Sequence, residues 1–194
     1  MRRRYLENKE KQLFIKRFYP AGTYTWTVPN GCEEVDVFLV GGGGGSGYNG
    51  NGAGAGGGYT KTFKSSTDGW RDGDAIQVTP GQEIQIIVGK GGNPRSNGGY
   101  SQFMNSNYKA NGGYTNNKGW DNSGNGMGYV GGNGGSGGGC DEGMGATGAG
   151  GSDYTEGSGN GSTRGGGGYG GGAGSTLQKG GDGTVLIRYY AYEK

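Results

Sequence analysis

The chain has 194 residues, enough for one domain with decorations, and its 18 basic and 16 acidic residues leave a net charge of +2. Glycine supplies 54 of those residues and histidine none. The absence of histidine excludes Ser-His-Asp and Cys-His catalysis and any imidazole metal site. Leu, Ile, Val and Phe together number only 24, which by itself suggests a chain too poor in apolar surface to fold. Yet 20 of the 24 fall in seven short segments, so a small core is expected.

The N-terminal stretch is basic. Residues 1–17 hold seven cations (Arg2, Arg3, Arg4, Lys9, Lys11, Lys16, Arg17) against Glu7 and Glu10. No apolar run of signal-peptide length follows, and no stretch anywhere is long enough to span a membrane. Residues 1–16 read as a solvated leader or a docking segment, with Arg2, Arg3 and Arg4 as the candidate docking residues.

The seven apolar segments follow. LFIKRFY (13–19) and TYTWTV (23–28) are rich in β-branched and aromatic residues. EVDVFLV (34–40) starts by alternating and ends in an unbroken apolar run, and YTKTFK (59–64) alternates throughout. AIQVT (75–79) and EIQIIV (83–88) flank Pro80-Gly81-Gln82, the signature of a turn, and predict a hairpin. TVLIRYY (184–190) closes the series. None keeps a helical period, and this density of glycine opposes helix. The expected framework is all-β, sandwich-like and antiparallel, with one face of its sheet buried.

Between these segments lie glycine-rich stretches at 41–58, 89–100, 111–139 and 143–183. They are not plain Gly/Ser linkers, because tyrosines and Trp120 punctuate them, with Trp70 between the first two stretches. GGNGGSGGG at 131–139 repeats as Gly-Gly-X. A period of three is that of an extended polyproline-II-type strand, which makes no internal hydrogen bonds. Without Cβ atoms such strands approach until each satisfies its neighbour's backbone. The predicted architecture is therefore a framework (13–40, 59–64, 75–88, 184–190) carrying an inserted bundle of polyglycine-II strands (41–58, 89–183), with the glycine-rich domain set at 17–194.

Four motifs suggest chemistry, and each fails on context. Gly45-Ser46-Gly47-Tyr48-Asn49-Gly50 matches a dinucleotide-binding fingerprint, but no helix-forming sequence follows to face a pyrophosphate. Asp68, Asp72 and Asp74 lack the spacing of a calcium loop. Asp141-Glu142 and Asp153/Glu156 have nothing to fix the separation a glycosidase pair needs. Arg95 and Arg164 are too few for a nucleic-acid-binding arginine-glycine arm. Cys32 and Cys140 read as two free thiols of a reducing compartment, the alternative being a bridge between them. No catalytic residue, metal ligand or cofactor site is expected.

Tyr, Ser, Gly and Asn in loops are instead the composition of antibody paratopes, in which tyrosine gives large contact area at small entropic cost. Tyr114, Trp120, Tyr129, Tyr154 and Tyr169 are the candidate contact residues for a receptor, a glycan or an outer-membrane protein.

Several ordered blocks carry a resemblance to a known family. Thr25-Trp26-Thr27-Val28-Pro29-Asn30-Gly31, Val35 to Val40 and the Gly41–Gly45 run are similar to the opening of glycine-rich domain proteins. So are Val78-Thr79-Pro80-Gly81-Gln82, Ile87-Val88-Gly89-Lys90-Gly91-Gly92, Gly99 to Phe103, Ala110 to Gly113, and Gly180 to Tyr190. Such domains are common in phage tail fibres and adhesins, and one occurs outside the cell on a receptor tyrosine kinase. The resemblance implies packed polyglycine-II strands, variable tip loops that contact the host receptor, and no catalytic residue. It points to a non-enzymatic virion protein, made in the host cytoplasm and reaching the outside by assembly. The alternative is a structural virion component (head fibre, capsid decoration or tail-assembly protein) that binds only other virion proteins. Homotrimers are common among the fibres it resembles, though nothing in this sequence requires one.

Overall fold

Alternation of apolar and polar residues makes strands, and each of the seven apolar segments contains one. The computed structural model describes residues 10–45, 57–62, 75–115, 131–132 and 179–193. Ten strands occur there: β1 Lys11–Phe18, β2 Gly22–Thr27, β3 Glu34–Val40, β4 Tyr59–Lys61, β5 Ile76–Gln77, β6 Glu83–Val88, β7 Ser101–Phe103, β8 Lys109–Ala110, β9 Gly131–Gly132 and β10 Thr184–Tyr192. No helix is present among the described residues.

They form two sheets, antiparallel throughout. The first runs β1-β10-β3-β4-β9, with β5 also bonded to β3. The second runs β2-β6-β7-β8. The last strand, β10, lies between the first and the third: Leu13 faces Tyr190, and Val37 faces Ile187. The two ends of the described chain thus share one sheet.

The core lies between the sheets. Val35, Val37 and Leu39 of β3 and Val185 and Ile187 of β10 meet Trp26 of β2, Ile84, Ile86 and Val88 of β6, and Phe103 of β7, all nearly inaccessible to solvent. Trp26 packs against Phe103 and Tyr189, with ring centroids 6.3 and 5.2 Å apart. Full burial of such side chains is worth about 1.5–3 kcal/mol each.

The structure corrects the sequence-based expectations at several points. Residues 79–82 do form a turn, with Gln82 N donating to Thr79 O at 2.9 Å and Gly81 at φ +85°; that conformation suits glycine after proline. The flanking strands are not a hairpin, however. β5 pairs with β3 and β6 pairs with β2, so the turn carries the chain from one sheet to the other. The reason lies in where the backbone bonds go: Val78 N donates to Glu33 O at 2.9 Å, and Val28 N donates to Gln82 O at 2.9 Å. Nor does burial stop at one face. The side chains of β3 alternate, yet Phe38 and Val40, turned away from the inter-sheet core, are 1% and 0% exposed. β7, β8 and β9 fall inside the 89–183 span assigned to the glycine insert. At the N-terminus, β1 begins at Lys11, so residues 11–16 of the expected leader are an edge strand.

Candidate functional site

Glycine follows or precedes six of these strands at one end of the sandwich. β3 continues into 41–45, β6 into 89–92 and β8 into 111–115; the segments 57–58, 96–99 and 179–183 lead back into β4, β7 and β10. The antiparallel pairing sets all six at the same pole, here called distal. The turn 78–82, Glu10 and Glu193 lie at the other, proximal pole, where Gln12 Nε2 donates to Glu193 at 3.4 Å.

Segment 41–45 is the hub. Gly41 N donates to Gly58 O at 3.0 Å, Gly42 N to Gly99 O at 2.8 Å, and Gly43 N to Gly181 O at 2.9 Å. Three consecutive donors reach three different neighbours. Gly45 N, three residues beyond Gly42, returns to the Gly99 segment at Ser96 O, 2.9 Å. On the acceptor side, Gly113 N bonds to Gly42 O and Gly92 N to Gly43 O, both at 2.8 Å. A pleated strand has period two and faces two neighbours; segment 41–45 bonds to more than two.

The neighbours also bond to one another around the hub. Gly58 N donates to Asn111 O, Gly98 N to Gly113 O, Gly99 N to Lys90 O and Gly180 N to Gly92 O, at 2.7–2.9 Å. There is no room for side chains in between. A Cβ on Gly42 would collide with the carbonyl of Lys90, and one on Gly44 with the carbonyl of Tyr114. That is why glycine stands here.

Two polar side chains join this layer to the sandwich. The fully buried Ser101 Oγ donates to Val40 O at 2.6 Å and accepts from Gly89 N at 2.9 Å, tying β3 to β6. Asp182 accepts from Gly91 N at 2.8 Å and from Ala21 N at 3.3 Å. Each gives a backbone group a partner that the departing strands no longer supply.

At the distal surface, Tyr114 is 48% exposed at the end of the 111–115 segment. Trp120, Tyr129, Tyr154 and Tyr169 lie outside the described residues, as do Arg2, Arg3, Arg4 and Cys140. Two features escaped the sequence analysis as site residues. Tyr100 is 41% exposed, with the Lys109 ammonium 4.2 Å from its ring centroid. Arg95, exposed in the turn Asn93–Ser96, holds φ at 65°, a left-handed conformation uncommon for a side chain of its size. The Asn93-Pro94 pair signals that turn, but nothing in the sequence signals the sign of φ at Arg95.

At the proximal pole a pocket of about 240 Å³ is lined by Lys11, Glu33, Glu34, Asp36, Arg188 and Tyr190, among others. Its charges are largely satisfied within the chain: Lys11 pairs with Glu33 at 3.4 Å, and Thr62 Oγ1 donates to Asp36 at 3.0 Å. Cys32, close by, is buried with a free thiol that burial pushes up to about 11. No group of three or more potential metal ligands occurs among the described residues, and no helix there is long and apolar enough to cross a membrane.

A comparison with curated protein sequences finds no match. The model of the glycine-rich domain family matches residues 19–126, which take in β2 to β8 and five of the six glycine segments. The chain belongs to the glycine-rich domain family.

Proposed function

We propose that the chain is a non-enzymatic recognition module of a phage particle, of the tail-fibre tip or adhesin type, which presents Tyr/Asn/Ser/Gly loops at its distal pole to the host cell surface. The observation that carries this reading is polarity: six glycine segments leave one end of the sandwich together, while the first and last described residues lie at the other. The segments bond into a stack of main chain, which we read as the base of a polyglycine-II bundle running through the insert. A stack of this kind holds loops far from a support without needing a second hydrophobic core. With no histidine in the chain and no reaction in the proposal, its ligand is bound and released unchanged: a surface glycan or an outer-membrane protein.

The test is saturable binding of the labelled full chain to intact bacteria of a broad strain panel. Binding competed by a strain's own surface extract is expected, and it should be lost when residues 116–130 or 152–164 are deleted while thermal unfolding stays cooperative. Binding unchanged by both deletions overturns the assignment to distal loops.

A second reading, a structural virion component with protein partners only, draws on a different surface. Leu13, Ile15 and Tyr190 lie 44%, 48% and 51% exposed on the sandwich itself. Failure of the chain to bind any strain, together with its stable incorporation into particles, would favour that reading.

A further inference from the structure

We infer that β1 is a docking edge that accepts an extended, acidic-apolar segment of another protein as an added strand. This holds whatever the distal pole binds.

The argument begins with alternation. In β1 the side chains of Phe14 and Phe18 turn to the core, and Phe14 stacks on Tyr189 with centroids 5.5 Å apart. Leu13, Ile15 and Arg17 therefore turn to the outer face, where Leu13 sits opposite Tyr190 and Ile15 opposite Arg188 on β10. Leu13, Ile15 and Tyr190 together make an exposed apolar stripe, each about half accessible. β1 has β10 as its one neighbour among the described strands. It is eight residues long, and seven of the eight are exposed or only half-buried. An edge of that length with apolar side chains is a template for pairing with another chain.

Charge decides which chain. β1 carries Lys11, Lys16 and Arg17 and no acidic residue. An antiparallel pairing of two copies that sets Leu13 opposite Ile15 also sets Lys11 opposite Arg17, at both ends. Like charges directly opposite are destabilising, so a second copy is disfavoured. The cations are also held in place rather than free to turn away. Arg17 Nε donates to Thr184 Oγ1 at 3.1 Å with its guanidinium 4.8 Å from the Tyr19 ring centroid, and Lys16 lies 5.3 Å from that of Phe18. At the other end Lys11 is already paired with Glu33. Among the described residues, the positive charge with no ion-pair partner is thus at the Lys16–Arg17 end. An antiparallel partner meets that end first. It should carry an acidic residue opposite Arg17, then apolar residues two and four positions later, opposite Ile15 and Leu13. The same cations that exclude self-pairing select this partner.

The test tethers a strand to the full chain, so that weak pairing is read at high effective concentration. A Glu-Thr-Val-Thr-Val-Thr sequence is fused to the C-terminus through a flexible Gly/Ser linker long enough to reach Phe18; a control fusion has Lys in place of Glu. Amide hydrogen exchange across β1 is expected to slow by roughly tenfold or more with the acidic strand, and by much less with the basic one. Arg17→Glu, at an exposed position, should reverse the order of the two strands. Equal protection by both strands, no protection by either, or an order unmoved by Arg17→Glu would each overturn the inference.

Discussion

Two halves of this molecule exclude water by opposite means. In the sandwich, Trp26, Ile86, Phe103 and Ile187 fill the space between sheets with side chains. Around segment 41–45 the described neighbours are chiefly main chain, and hydrogen bonds of 2.7–3.0 Å take the place of apolar contact. The energetic consequences differ. A buried aromatic contributes about 1.5–3 kcal/mol through area alone, in any orientation that packs. A main-chain hydrogen bond contributes only about 0.5–1.5 kcal/mol net, but leaving a buried partner unmade costs about 1–3 kcal/mol. Side-chain cores therefore fail by degrees as atoms are removed. A main-chain stack should fail when one atom is added.

Opposite substitutions make that contrast testable. Phe103→Ala removes a fully buried ring at the centre of the core and should cost about 3–5 kcal/mol. Gly42→Ala adds one methyl against the carbonyl of Lys90, in a residue that already gives its N–H to Gly99 and its carbonyl to Gly113. Neither neighbour can yield without breaking another bond, so the expected cost is about 3 kcal/mol. Gly22→Ala is the control, since a Cβ there meets nothing nearer than the Tyr24 ring at 3.7 Å; it should change stability by less than about 0.5 kcal/mol. Urea unfolding of the three variants checks the set. Equal effects from Gly42→Ala and Gly22→Ala would show that the layer gives way like an ordinary loop.

Alkaline pH should strain the sandwich and spare the glycine layer. Burial raises the Cys32 thiol from 9.0 to about 11 and pushes the Tyr189 phenol upward as well. Each group is neutral in the fold at a pH where the unfolded chain has begun to ionise. A raised acid of this kind adds stability below its unfolded pKa, and that stability drains away as pH climbs through the folded value. For Cys32 the window is pH 9–11 and the loss is on the order of 2–3 kcal/mol. Unfolding midpoints measured across that window should fall more steeply for the native chain than for Cys32→Ala. Parallel slopes would assign the alkaline sensitivity elsewhere.

The sequence was most legible where side chains decide structure. Alternation located the seven segments that hold seven of the ten strands, and a terminal strand paired with early ones was foreseeable from both ends reading as β. β7, β8 and β9 escaped because Ser101–Phe103, Lys109–Ala110 and Gly131–Gly132 are too short to show a period. The presumed hairpin failed for a related reason: turn chemistry at Pro80-Gly81 fixes a reversal, but not which sheet each arm joins. In the glycine layer the residue type announced close approach of backbone, whereas the partners did not follow from it. Nothing in the residue Gly42 names Gly99 as its acceptor. The junction bonds of Ser101 and Asp182 were likewise hidden, since a lone serine and a lone aspartate among glycines look like solvated loop positions.

A small expected effect on stability touches the boundary between support and presentation. Arg95 occupies the position after proline in the turn Asn93–Ser96, where Ser96 N closes on Asn93 O at 2.9 Å, and it does so at φ 65°. At Gly81, also after a proline, the same sign of φ is met by glycine. A left-handed L-residue costs about 1–2 kcal/mol, of which glycine would return a part while losing more entropy on folding. Arg95→Gly also gives up the interaction the side chain makes within the chain, so the net change in stability should stay within about 0.5 kcal/mol. Exposed at the distal turn, Arg95 is a candidate contact residue as well. If it has that role, Arg95→Gly weakens cell binding while the unfolding midpoint hardly moves. Binding unchanged by the substitution would remove Arg95 from the contact surface and leave that role to Tyr114 and the loops beyond it.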